Sequence, residues 1–233
     1  MSNPYRAVPI APHFYAIEEN GVRMFLLEGG DEAVLIDTGF GSGDLKAFLP
    51  TVTDLPVRRV ICTHADMDHL GCNHQFEDIR MHPAELDRYA APGKYDLSCV
   101  RPLWEGEVIA VGDYRLEVVL IPGHTPGSIA LLEREKRFLL SGDSVQDGAI
   151  FMFGPGRNFP AYVYSMEKLM AMADCFDTVY PSHNSLTVTP DILPKLRQGA
   201  LDIMAGRLTG ESREMHGHTV TYYDCGCAAF LGK

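Results

Sequence analysis

The 233-residue chain carries 20 Lys and Arg against 31 Asp and Glu, a net charge of −11, and 46% of its residues are hydrophobic. That length supports one large domain or two small ones with a substantial core, while the charge repels polyanions; with no run of Lys or Arg, nucleic acid is not an expected partner. No stretch approaches the roughly 18 apolar residues of a membrane-spanning helix, and residues 1–20 lack a basic segment followed by a long apolar one, so a cytoplasmic location, no membrane contact and a small-molecule substrate are expected.

In chain order, residues 14–39 read as antiparallel strands with turn signals at Asn20-Gly21 and Gly29-Gly30-Asp31. The apolar run 33–36 stops at Asp37-Thr38-Gly39. A helix is expected over 43–52, a buried strand over 57–63, and a helix opened by its proline over 83–91. Strand pairs follow at 107–111 with 114–121 and at 128–133 with 137–141. A helix over 165–175, a strand over 178–181, a helix over 191–205 and one final strand within 219–231 complete the chain. Strands arriving in groups, with helices between the groups, point to two sheets packed together with helices outside, in one continuous domain over 1–233.

The polar residues of interest fall where these strands end. THADMDHLG (63–71), IPGHTPGS (121–128), LLSGDS (139–144) and YPSHNS (180–185) each follow or close an apolar run. Singly, a histidine after a strand is usually a loop residue bonded to backbone. Together the segments supply four histidines and three carboxylates, the donors that two adjacent divalent cations need. The six cysteines are spaced irregularly in a chain too long for a disulfide scaffold, so reduced thiols are expected. Cys225-Gly226-Cys227 alone is a weak metal or redox signal.

The order His64-x-Asp66-x-Asp68-His69, then His124, Asp143 and His183, resembles the H-x-H-x-D-H signature of the metallo-β-lactamase fold superfamily. That group includes glyoxalase II, lactonases, ribonucleases and flavodiiron proteins. Asp37-Thr38-Gly39 resembles its early aspartate-glycine turn, and His124-Thr125-Pro126-Gly127 its HTPG segment; the resemblance spans residues 14–185. It implies an α/β (α+β) four-layer αββα sandwich with metals at the edge of the sheets. It also implies His64, residue 66 and His124 on a first metal, Asp68, His69 and His183 on a second, and Asp143 bridging both. The reaction implied is hydrolysis of a small ester, thioester, lactone or phosphoester by a hydroxide held between the metals, with Asp68 and Asp143 as the catalytic carboxylates.

Asp66 stands where the signature has histidine. It is a ligand, or its presence leaves a single metal at the second site, or the chain is a non-catalytic relative; a further reading has it orienting His64 or His124. As a ligand it joins Asp68 and Asp143, and with a hydroxide the three carboxylates neutralise two divalent cations. That harder donor set favours manganese and iron relative to zinc, although the affinity order still favours zinc. Flavodiiron proteins have a glutamate at this position, which keeps a di-iron redox or oxygen-reactive protein as the alternative.

Residues 144–164 read as a loop-like stretch in which Phe151 and Tyr162 are candidate pocket walls and Arg157 a candidate contact for a substrate anion, against the plainer readings of a covering loop and a surface ion pair. His74, His82 and His216-Gly217-His218 read as structural or incidental, and Trp104 as packing over the insert 93–106. The chain after His183 is too short for the helical region that binds the glutathione conjugate in glyoxalase II, and neither a flavodoxin-like domain nor the insert of the RNA-processing branch is evident.

Overall fold

The computed structural model describes residues 3–91, 93, 95–215 and 217–232, so His216 lies outside the described residues. The chain forms two compact units, Met1–Val119 and Leu120–Lys233.

The first unit contains β1 (Arg6–Ala11), β2 (Phe14–Glu19), β3 (Val22–Glu28), β4 (Ala33–Ile36), α1 (Leu45–Phe48), β5 (Val57–Ile61), α2 (Met67–Leu70), β6 (Asp78–Met81), α3 (Leu86–Ala90), β7 (Val100–Pro102), β8 (Val108–Val111) and β9 (Tyr114–Leu120), the last running just past the unit's end. Strands β1 to β7 lie in sequence order in one sheet, antiparallel as far as β4 and parallel from β4 to β7. The β2–β3 turn is the one that Asn20-Gly21 announces. Glu19 pairs with Val22, and the two turn residues have φ of 49° and 89°, as a two-residue primed turn requires. Every residue of β4 is buried, which is why Ala33-Val34-Leu35-Ile36 is an unbroken apolar run. Ile17, Met24, Leu26, Leu35, Val60 and Ile79 build the core on one side of the sheet.

The helices of this unit are short. The helix expected over 43–52 is one α-turn, α1, opened by the Asp44 carboxylate accepting the Ala47 N–H at 2.9 Å. It then tightens into a 3₁₀ turn, Leu49–Thr51, because Pro50 has no N–H to continue an α-helical ladder. The helix expected from Pro83 is likewise a 3₁₀ turn, Pro83–Glu85, running into α3.

The second unit holds β10 (Ile129–Glu133), β11 (Phe138–Gly142), β12 (Ala149–Phe151), α4 (Phe159–Ala171), β13 (Thr178–Pro181), α5 (Leu193–Met204), β14 (Glu211–Met215), β15 (His218–Asp224) and β16 (Ala229–Gly232). β11 pairs antiparallel with β10 and parallel with β13, and a separate four-stranded sheet runs β12-β16-β15-β14. Two expectations are corrected. Residues 144–164 are not a loop throughout: β12 lies within them, and α4 starts at Phe159, where the Asn158 side chain accepts the Ala161 N–H and Pro160 occupies a first-turn position that needs no donor. The tail has three strands rather than one, separated by Gly217 (φ 78°) and Gly226 (φ 76°), which take the left-handed turn conformations. Among the described residues no helix is long and apolar enough to cross a membrane.

Candidate metal centre

In the first unit, β4 and β5 run parallel and both end in polar loops. Asp37 follows β4 in a left-handed conformation (φ 62°) and is 1% exposed. Its carboxylate accepts the Thr63 amide on Oδ1 at 2.7 Å, and on Oδ2 the Thr63 hydroxyl at 2.7 Å and His69 Nδ1–H at 2.9 Å. Because the Thr63 hydroxyl gives its proton to Asp37, it accepts from His64 Nδ1, 3.0 Å away. Both imidazoles therefore carry their proton on Nδ1 and present Nε2 as a lone-pair donor. The two buried rings lie with centroids 4.1 Å apart. Fully buried Glu85 accepts the Ala65 N–H at 2.7 Å, fixing the loop between them.

Asp66 and Asp68 stand beside these rings. Asp66 Oδ2 lies 3.7 Å from His64 Nε2, and Asp68 Oδ2 lies 3.6 Å from His69 Nε2. Asp66 is the residue just before α2, and its Oδ1 accepts from Arg88 through Nε at 2.7 Å and lies 2.6 Å from Nη2.

In the second unit, His124, Asp143 and His183 follow β9, β11 and β13 respectively. His124 Nδ1 lies 2.9 Å from the Phe151 carbonyl, which can only accept, so this ring too presents Nε2 as a lone pair. Asp143 Oδ2 sits 3.7 Å from His124 Nε2 and 3.4 Å from His183 Nε2. The His124 loop is fastened to α4: Asn158 N–H donates to the Gly123 carbonyl at 2.8 Å, and the Ser165 hydroxyl to the Pro122 carbonyl at 2.6 Å. Gly123 (φ 138°) permits this contact, since a Cβ there would lie 2.5 Å from the Tyr162 backbone. The loops of Asp143 and His183 are joined by Ser182 N–H to the Gly142 carbonyl at 3.0 Å and by the Asn184 amide to Gln146 Oε1 at 2.6 Å.

The four imidazole–carboxylate separations, 3.4–3.7 Å, are longer than hydrogen bonds of about 2.9 Å. They are near the separation of roughly 3.3 Å between two ligands that each sit about 2 Å from one tetrahedral ion. The Nδ1 atoms of His64, His69 and His124 are engaged in hydrogen bonds, which leaves their Nε2 atoms as donors of the type that a divalent cation takes.

The remaining candidates lie as follows. The Phe151 carbonyl orients His124 and its ring stacks at a tilt on Phe153. The Arg157 guanidinium donates to the His124 carbonyl. Tyr162 is fully buried, its hydroxyl donating to the Ser144 carbonyl at 2.7 Å and its ring edge-on to Phe230; burial holds its pKa well above the usual tyrosine range. His82 caps the turn before α3 by accepting the Ala84 N–H, and Trp104, 53% exposed, meets its ring edge. Burial pushes the Cys225 thiol up to about 11, with Cys227 and Asp224 adding to the shift, so it is not a thiolate at neutral pH. Sequence reasoning noted Asp37 only as a turn and missed Glu85 and Arg88. A lone buried acid leaves no motif, and the separation of 22 between Asp66 and Arg88 crosses α2, β6 and α3, so no periodicity of a single element links them.

A family model described as the metallo-beta-lactamase superfamily matches residues 18–183. The acyl-coenzyme A thioesterase MBLAC2 of Gallus gallus is 32% identical over 201 residues, spanning 70% of this chain and 73% of that protein. The hydroxyacylglutathione hydrolase GloC of Haemophilus influenzae is 27% identical over 143 residues, spanning 51% of this chain and 63% of that one. A metallo-beta-lactamase from Pontibacter korlensis superposes with a TM-score of 0.68 at 20% identity, over 83% of this chain and 99% of its own, which shows the expected α/β fold. With the family model covering well over half its length and the signature residues lying inside that match, the chain belongs to the metallo-β-lactamase superfamily.

Proposed function

We propose that the chain is a metal-dependent hydrolase of small thioesters, working with two divalent cations. In this reading, which rests on the order of the signature residues, His64, Asp66, Asp68, His69, His124, Asp143 and His183 would be the ligands of the cations. The observation that carries it is the set of four histidine Nε2 atoms that face carboxylates at 3.4–3.7 Å, with the rings of His64, His69 and His124 anchored at Nδ1. The thioester class is drawn from relatives named for acyl-coenzyme A and hydroxyacylglutathione.

Bound divalent cations supply polarisation of the substrate carbonyl and a water acidified to near neutral pH. The chain's own residues supply the rest. Asp37 and the Phe151 carbonyl engage Nδ1 of His69 and His124, which turns Nε2 of each ring toward its carboxylate neighbour. Asp68 accepts the proton released as water attacks. A thiol, with a pKa of about 8.5, departs as thiolate without a general acid, which suits a site whose nearby side chains are mostly carboxylates and imidazoles. Zinc is the expected occupant by affinity, and Asp66 admits manganese or iron.

The test is metal analysis of protein purified without chelators, followed by assays with acyl-coenzyme A, hydroxyacylglutathione, lactone and phosphodiester substrates. Two equivalents of zinc or manganese are expected, with thioester turnover that a chelator abolishes and added metal restores. Turnover confined to lactones or phosphodiesters would refute the thioester assignment. Two irons with a visible absorption band and no hydrolysis, or protein devoid of metal, would refute the hydrolase.

A further inference from the structure

Arg88 belongs to no part of the family signature, yet it is the residue most directly engaged with the one ligand position that departs from it. Nε (2.7 Å) and Nη2 (2.6 Å) of its guanidinium converge on Asp66 Oδ1, while Oδ2 lies 3.7 Å from His64 Nε2, a separation like those of the other carboxylate–imidazole pairs. Asp66 thus turns one oxygen to Arg88 and the other to His64. Both ends of this arrangement are anchored by one helical segment. Glu85 and Arg88 are three residues apart and share a face; Glu85 holds the Ala65 amide, and Arg88 holds the next residue's carboxylate.

We propose that Asp66 and Arg88 together form one neutral, single-atom metal donor, with Arg88 the positioning residue that selects Oδ2 as the binding oxygen and cancels the carboxylate's charge. The inference rests on the reading of Asp66 as a ligand. Its physical content is a charge count. Two divalent cations with a histidine at position 66, two aspartates and one hydroxide carry a net charge of plus one. Aspartate at 66 lowers that to zero, and Arg88 returns it to plus one. The pair therefore keeps the electrophilicity that the three-histidine site has, and an unpaired aspartate would lose it. The guanidinium fork also prevents the carboxylate from chelating through both oxygens, the mode that larger, harder cations favour.

The prediction concerns coupling between the two positions. Metal affinity is measured by competition with a chromophoric chelator, and the first site is followed through the visible spectrum of the cobalt-substituted protein. Asp66→His leaves the Arg88 charge unbalanced beside the cation and is expected to weaken one of two metal equivalents by about 10- to 100-fold. Adding Arg88→Gln in the same chain should recover most of that loss, although it removes a second side chain. Arg88→Gln alone should raise the manganese-to-zinc affinity ratio about tenfold and change the cobalt spectrum, with the second equivalent unaffected. Arg88→Lys, which keeps the charge and loses the fork, should change the spectrum but shift the ratio less. Circular dichroism melts establish that each variant folds, and the Arg88→Gln and Arg88→Lys pair carries the test if Asp66→His does not. Equal affinity in Asp66→His with and without Arg88→Gln, or an unchanged ratio and spectrum in Arg88→Gln, overturns the proposal. The underlying ligand reading fails in a distinguishable way, by Asp66→Ala retaining both metal equivalents at full affinity.

Discussion

The first unit delivers four of its polar side chains from the six residues 64–69 behind one strand, whereas the second delivers three from separate loops behind three strands. Crowding has a cost that dispersal avoids. Asp66 and Asp68 are two residues apart in the chain, and the loop that carries them is held by further charged side chains: Asp37 under both histidines, Glu85 on the Ala65 amide and Arg88 on Asp66. The second unit orients its residues mostly with neutral backbone groups and close packing, through the Phe151 carbonyl, the Gly142 carbonyl and the Gly123 contact with α4. One half is organised by charge, the other by shape, and mutations should tell them apart.

The largest effect is expected at Asp37. Replacing it with alanine removes the acceptor of three donors in a buried position, and each stranded donor costs about 1–3 kcal/mol. Urea unfolding of the chelator-treated protein should show a loss of about 3 kcal/mol or more, and metal affinity should fall about 10- to 100-fold. A variant with unchanged midpoint and affinity would remove Asp37 from its central role in the first unit.

A smaller effect of a different kind is expected at Gly123. In Gly123→Ala the added methyl meets the Tyr162 backbone at 2.5 Å, and the cost of forcing it in is about 1–3 kcal/mol. Thermal melts should detect that loss, with the metal-binding constant moving less than it does in Asp37→Ala. If the melt is unaltered, the His124 loop does not depend on its seat against α4.

Arg157→Met should do least. The guanidinium donates to the His124 carbonyl from a partly exposed position, so its removal is expected to cost about 1 kcal/mol and to weaken metal binding a few-fold. A rise of tenfold or more in KM for an anionic thioester, at unaltered metal affinity, would instead assign Arg157 to the substrate and give the second unit a charged role of its own.

Much of the framework is visible in residue order. The β4 strand announces itself because it is buried on both faces, and the β2–β3 turn because Asn20 and Gly21 tolerate positive φ. The start of α4 was readable in Asn158 and Pro160 but was masked by the aromatic, glycine-rich run before it. The helix expected over 43–52 is shorter because Pro50 lacks the N–H that would continue the α-helical ladder. As for the site, the ligand candidates share a chemical type and a repeated place after strands, so composition and order expose them. The residues that orient them share neither. Thr63 works through a hydroxyl, Phe151 through its carbonyl and Glu85 through a single buried oxygen, and none of these roles restricts the side chain to a recognisable pattern.

The sequence by itself thus determined the candidate donors, since imidazole and carboxylate after successive strands are groups that bind such cations, and the family, since their order along the chain is specific. What only the tertiary structure decided is the orientation of those donors and the charged groups set beside them. Asp37 and a main-chain carbonyl hold Nδ1 of His69 and His124, and Arg88 donates to the Asp66 carboxylate. Both follow from distances of about 3 Å between residues far apart in the chain, and electrostatic interactions at that range depend on position in space rather than on order in the sequence.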